Sequence, residues 1–231
     1  MRIVKNDRLI ARNGRIARWT SLGALAVLGA AVYLQFQGPK FLAYSVGMLV
    51  LGFAMTQVGM YFSNRWGRSP RPDEQLDAGL KGLPGETVIY HYLTPAPHLL
   101  VGPMGLWIFL PFHQRGTVTF ERDRWRLRGG GFMQGYMTIF GQEGLGRPDL
   151  EAAAQIDAVR RHLVKHMDTS AIPPINAALV FTGDNVRVES VDTPIPALPI
   201  RKLKDFMRQA ARGNAAPTEA MLRVQACLPA A

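Results

Sequence analysis

The chain has little cysteine: one thiol, Cys227, in 231 residues. A single cysteine closes no internal disulfide and supplies no thiol pair for a zinc or redox motif, so apolar burial must hold the fold. Cys227 has no evident histidine partner in the sequence, which argues against a catalytic thiol. Acidic residues are also scarce, 17 against 27 Lys and Arg, for a formal net charge of +10. Charge is missing altogether from residues 20–36 and from residues 41–64. Each run is long enough to cross a hydrocarbon core of about 30 Å as a helix. With no ionisable group inside them, neither run offers a proton or ion pathway.

The link between the two runs, "QGPK" (37–40), carries a Gly-Pro turn signal that reverses the chain. Residues 19–64 therefore read as a transmembrane helical hairpin. A signal peptide is the competing reading of the first run. Against it stand a long basic region, no small-x-small cleavage site, and a second span that follows at once. The basic excess flanks the hairpin. Residues 1–18 hold Arg2, Lys5, Arg8, Arg12, Arg15 and Arg18 against Asp7 alone, and Arg65, Arg68 and Arg71 follow the second span. By the positive-inside rule this is a multi-pass protein of the cell (inner) membrane with both termini cytoplasmic. That topology explains the isoelectric point of 10.3 better than a nucleic-acid partner does.

From Arg2 to Arg15 the basic residues recur every three or four positions. This spacing predicts a helix whose basic stripe lies on anionic headgroups, at about 1 kcal/mol per residue near the surface. The alternative is a topology signal with no further role. Trp66, in the juxtamembrane linker 65–72, is expected at the membrane interface. Small residues offer surfaces for close helix contact: Gly23, Ala26, Gly29 and Ala30 in the first span; Ala43, Ser45, Gly47, Gly52, Ala54 and Gly59 in the second. They serve the hairpin itself, or a partner helix or second copy.

A soluble α/β domain is expected over residues 73–212, with a tail over 213–231. "DEQLDAGLKGL" (73–83) reads as a short helix, and "TVIYHYL" (87–93) is rich in strand formers. "HLLV" (98–101), "GLWIFL" (105–110), "GTVTFE" (116–121) and "RWRLR" (124–128) are strands bounded by turn residues. "DLEAAAQIDAVRRHLVKHM" (149–167) is an amphipathic helix, and "NAALVFT" (176–182) a buried strand followed by "NVRVES" (185–190). "IRKLKDFMRQAAR" (200–212) closes the domain as a basic amphipathic helix, and "TEAMLRVQACL" in the tail is a weak last helix.

This order, with "HLLVGPMGLWIFLPFHQRG" and "GRPDLEAAAQIDAVRRHL", resembles the nuclease-related domain (NERD) family, over roughly 73–209. The resemblance implies a mixed-sheet, restriction-endonuclease-like fold. Family members carry Asp-His before a Gly-Pro-x-Gly hairpin, then an apolar strand, Glu-x-Lys, and a glycine four residues beyond. Here Gly102-Pro103-Met104-Gly105 and Gly116 keep that frame, and His98 matches the histidine. The metal-binding Asp falls at Pro97, the Glu at Leu110 and the Lys at Phe112; Glu74 is the remaining acid of the first helix. Such carboxylates hold Mg²⁺ and activate water, and the lysine stabilises developing charge. Without them, the resemblance implies a nuclease-like domain that has lost its chemistry and binds a partner, with no cofactor. A nuclease with displaced ligands and Mg²⁺, or a membrane-tethered nucleic-acid-binding module, is the alternative.

Other residues could rebuild a site. His91, His98 and His113 lie on or beside strands, and imidazoles suit Zn²⁺. His162 and His166 share a helix face but lack the Glu of a zinc-protease helix. Segment 129–148 mixes glycines with Phe132, Met133, Tyr136, Met137, Ile139 and Phe140 and reads as a flap. Its Gly141, Gly144 and Gly146 precede a helix start whose Asp149 and Glu151 would repel an anion. Arg122, Arg124, Arg126 and Arg128 alternate along a strand and should face one side, the best anion- or nucleic-acid-binding surface of the domain.

Overall fold

The computed structural model describes residues 1–128, 145–183, 186–189, 193–213 and 216–229. Most of the glycine-rich segment 129–148 lies outside the described residues. The chain divides into two compact units: Asn6–Arg71, and Met1–Lys5 together with Pro72–Ala231.

The first unit is a helical hairpin. Helix α1 (Asp7–Gln35) starts where the Asn6 side chain accepts the Leu9 amide at 3.0 Å. A 3₁₀ turn at Pro39–Phe41 leads into α2 (Leu42–Phe62), which ends in a π-helical turn at Ser63–Gly67. Both helices are long and apolar enough to cross a membrane. Only 17% and 11% of their apolar windows are buried, whereas the core helix of a soluble protein is mostly buried. Their seam is built from small residues at heptad spacing: Ala17, Ala24 and Ala31 on α1, Ser45, Gly52 and Gly59 on α2. A Cβ on Gly52 would stand 2.6 Å from Leu28 Cδ2, and one on Gly59 2.9 Å from Ser21 Oγ. Ser45 donates across the seam to the Ala31 carbonyl at 2.8 Å. Gly29 and Gly47, equally small, have open space beside them, so the seam uses only part of the small residues in each span.

The second unit contains a six-stranded mixed sheet in the order β1-β2-β3-β4-β7-β9. Its strands are β1 (Arg2–Lys5), β2 (Val88–His91), β3 (His98–Gly102), β4 (Gly105–Phe112), β7 (Ile175–Phe181) and β9 (Ala197–Pro199). β2, β3 and β4 form an antiparallel meander, while β1 joins β2 in parallel and β7 lies parallel to both β4 and β9. Gly105, at φ +92°, completes the tight β3–β4 turn after Pro103-Met104. A smaller sheet, β6-β5-β8, holds β5 (Thr117–Glu121), β6 (Arg124–Arg128) and β8 (Arg187–Val188).

Alternation along the strands gives the large sheet two apolar faces. Val88, Tyr90, Leu99, Val101, Leu106, Ile108 and Leu110 share one core with α4 (Pro148–Val164) and α6 (Thr218–Ala226). Ile89, Leu100, Trp107 and Phe109 share the other with α3 (Pro72–Leu80) and α5 (Ile200–Gly213).

Two expectations change. Arg2 and Lys5 do not extend a basic helix: backbone pairing with 88–91 outweighs the helical spacing of their charges, and β1 belongs to the sheet. Arg8, Arg12, Arg15 and Arg18 do lie exposed on α1. The segment expected as a tail is part of the domain, because Met221, Val224 and Leu228 are buried in its core and the Ala216 amide bonds the Pro103 carbonyl at 2.9 Å.

Candidate functional site

The polar residues that meet inside the second unit come from four elements. On α3, Asp73 and Asp77 stand one turn apart, on the helix whose Leu76 and Leu80 pack into the core on that side of the sheet. β1 brings in Lys5, whose ammonium bonds Asp77 directly and lies 3.5 Å from Asp73 Oδ2. Asp77 Oδ1 also accepts from His91 Nε2 at 2.9 Å. His91 Nδ1 in turn lies 2.8 Å from Nδ1 of His98, its cross-strand neighbour on β3. The result is a continuous chain, Asp73, Lys5, Asp77, His91, His98.

Asp73, His91 and His98 in this chain are buried, and only Lys5 and Asp77 touch solvent. Because a carboxylate only accepts, His91 Nε2 carries a proton. In the neutral pair, His98 Nδ1–H therefore donates to His91 Nδ1. Burial alone would raise the Asp77 carboxyl, but the His91 and Lys5 hydrogen bonds and charges hold it below the usual carboxylate range. Burial would likewise lower Lys5, yet the Asp77 bond and both carboxylate charges raise it. Each ionised group is thus kept ionised by the other.

The positions that the nuclease resemblance assigns to metal chemistry lie elsewhere. Leu110 is 3% exposed in the core on the α4 side, and the Phe112 ring packs 5.7 Å from Phe181. His91 and His98 alternate with Val88, Tyr90, Leu99 and Val101 and so face the α3 side. Pro97 is half-buried in the β2–β3 link, where its carbonyl accepts the Tyr92 amide at 2.8 Å. Glu74 is half-buried on α3, but Asp73 and Asp77 are the α3 acids that contact Lys5. Their i, i+4 spacing around Leu76 and Leu80 was the available signal. No signal in the sequence tied Lys5 to them, 68 residues earlier than Asp73.

His91 and His98 do meet, as a bonded pair and not as open ligands. His113 lies beyond the end of β4 and takes no part in that pair. Among the described residues no group of three His, Cys, Asp or Glu side chains is arranged to hold a metal ion. On α4 and just past it, the His162 and His166 rings lie 5.1 Å apart, and the Cys227 thiol points to the His166 carbonyl at 3.9 Å.

The arginine stripe is shorter than its spacing implied. Arg124, Arg126 and Arg128 are exposed along β6, opposite buried Trp125. Arg122 leaves the stripe because it forms, with Asp123, the left-handed β5–β6 turn at φ +51° and +57°. Arg128 pairs with Glu121 at 3.0 Å, an exposed contact of at most about 1 kcal/mol. Trp66 sits in the π-helical turn of the first unit, 5.4 Å from the Phe62 ring and under the Arg65 guanidinium at 5.5 Å. A cleft of about 330 Å³ is lined by Arg2, Val88, Pro103, Met221, Leu222 and Gln225. Here an exposed α6 leucine borders a mixed polar and apolar wall.

No family model, curated protein or solved structure matches the chain.

Proposed function

We propose that this protein is a membrane-anchored, non-catalytic nuclease-like domain that acts as a binding or accessory subunit at the cytoplasmic face of the membrane. The observation that carries the reading is the apolar packing of Leu110 and Phe112, where the family frame would carry its acid and lysine. The succession α3, the β2–β3–β4 meander, α4 and parallel β7 agrees with the nuclease-like frame. The anchor is supported by chain order. β1 and α3 belong to one unit and the hairpin is inserted between them, an order that supports a two-span anchor with both ends on one side of a bilayer. Arg8 to Arg18 and Arg65 to Arg71 at those ends favour the cytoplasmic side.

The test uses the full chain in mild detergent. With single- and double-stranded DNA or RNA and Mg²⁺, Mn²⁺ or Zn²⁺, no cleavage is expected, and native mass spectrometry should find the chain with a partner or a second copy. A lone monomer would count against the accessory role. A second reading, a rebuilt hydrolytic site, is favoured by the two carboxylates and lysine of Asp73, Asp77 and Lys5 beside the histidine pair. Metal-dependent cleavage that disappears in Asp77→Asn would establish it in place of the first.

A further inference from the structure

From Asp73 onwards the chain has 17 basic and 16 acidic residues, yet the charge on α5 is one-sided. Its sequence "IRKLKDFMRQAARG" sets Arg201, Lys202, Lys204, Arg208 and Arg212 against Asp205 alone. One face is pinned to the domain by buried Leu203 and Met207, and by Phe206, whose ring meets Trp107 edge-on at 5.3 Å. Away from that face, Arg201, Lys204, Arg208 and Arg212 follow at spacings of three, four and four. They form a line about 16 Å long on a helix of 1.5 Å rise. The three arginines are exposed and Lys204 is half-buried.

Nothing acidic within the described residues answers this line except Asp205, 3.8 Å from Arg208. Like charges four apart weaken a helix, and both the Lys204–Arg208 and Arg208–Arg212 pairs have that spacing. α4 is built differently, with Asp149, Glu151 and Asp157 sharing the helix with Arg160 and Arg161. A basic line that lowers helix stability and lacks internal counter-charge complements a surface that repeats anionic groups.

We propose that Arg201, Lys204, Arg208 and Arg212 of α5 form a docking face for the anionic headgroups of a lipid bilayer. The inference rests on the membrane-anchored reading above. An anchored domain meets headgroups at high effective concentration, so modest charge attraction suffices. Polynucleotide is the weaker match. Single-strand binders pair basic residues with exposed aromatic stacking platforms, whereas the exposed α5 residues include no aromatic and Phe206 is engaged with Trp107.

The experiment places the full chain in lipid nanodiscs, with Cys227→Ser and a fluorophore on Gln209→Cys, an exposed α5 position. Energy transfer to a headgroup-labelled lipid is read in phosphatidylcholine and in mixed phosphatidylcholine–phosphatidylglycerol discs. Transfer should rise with phosphatidylglycerol and fall with added salt. The R201Q/K204Q/R208Q/R212Q variant should lower the docked fraction relative to the undocked by more than about tenfold. Transfer indifferent to lipid charge, or unchanged in that variant, overturns the proposal. So does an oligonucleotide that binds the chain in neutral discs through these four residues, which would assign the face to nucleic acid. Retention in neutral discs reads the anchor separately: insertion without charge-dependent transfer overturns only the docking face, and failure to insert overturns both readings.

Discussion

The two faces of the large sheet solve the same problem in opposite ways at neighbouring positions. On the α4 side, the end of β4 is closed with Leu110 and Phe112 against Phe181. On the α3 side, the end of the β2–β3 pair is closed with charge, running from Asp73 through Lys5 and Asp77 to the histidines. An apolar closure tolerates no charge, because nothing nearby can pair with it. A charged closure tolerates no single deletion, because each group keeps its neighbour ionised. One face of the sheet is thus closed without charge while the polar residues gather on the other, joined by β1, a strand that precedes the helical hairpin.

The largest effect should come from forcing the first face to behave like the second. Leu110→Glu with Phe112→Lys would introduce the acid and lysine that the nuclease resemblance implies at these positions. There the glutamate would lie in an apolar core, beside Leu179 of the neighbouring strand, with only the introduced lysine to pair with it. We expect a loss of more than about 4 kcal/mol, enough to abolish the cooperative thermal transition in detergent. A folded double variant that cleaves nucleic acid with Mg²⁺ would reverse the comparison.

The reciprocal change is smaller. Asp77→Leu removes the shared acceptor of Lys5 and His91 and should cost about 3 kcal/mol, since it leaves a half-buried ammonium and a buried imidazole without it. Asp77→Asn keeps an oxygen for one donor but no charge, and should cost about half as much. Equal melting points for the two variants would mean that the neutral acceptor oxygen contributes nothing and that charge alone holds α3 to β1 and β2.

How far the sequence disclosed this follows from the range of each interaction. The hairpin was legible because two uncharged runs and a Gly-Pro link are local signals. So were β3 to β6 and the long helix, whose periodicity and turn residues sit within a few positions. β1 was not, because "RIVK" pairs with residues more than eighty positions away and its charges fall at helical spacing. That spacing alone makes Lys5 a headgroup contact, whereas the pairing of β1 turns it to Asp77. His98 was singled out through the family frame, but its partner His91 and the Asp77 bond depend on strand register, which the sequence does not state. The family frame points to Glu74 because it needs an acid there. Burial of Asp73 and the turn spacing to Asp77 decide otherwise. Seven-residue spacing of Ala17, Ala24 and Ala31 was present in the sequence, yet Gly29 and Gly47 resembled it equally until the helices were paired.

The smallest effect is on pH dependence, and it separates the two faces without altering either core. Asp77 is held below the usual carboxylate range in the folded protein. The unfolded chain therefore binds its proton first as pH falls, and the stability Asp77 contributes is complete above about pH 4 and lost below it. Lys5 is held above its ordinary value. Its contribution is complete below about pH 10 and disappears as pH rises through the higher folded value. The pair should thus give a broad plateau across neutral pH with one descending arm at each end. Asp77→Asn removes the carboxylate and with it most of the acid arm. Its thermal midpoint should lie below that of the native chain on the plateau and approach it in acid, closing a gap of about 2–4 °C per kcal/mol. A gap that stays constant into acid would show that Asp77 acts as a neutral hydrogen-bond acceptor, and the contrast between a charged and an apolar face would then fail.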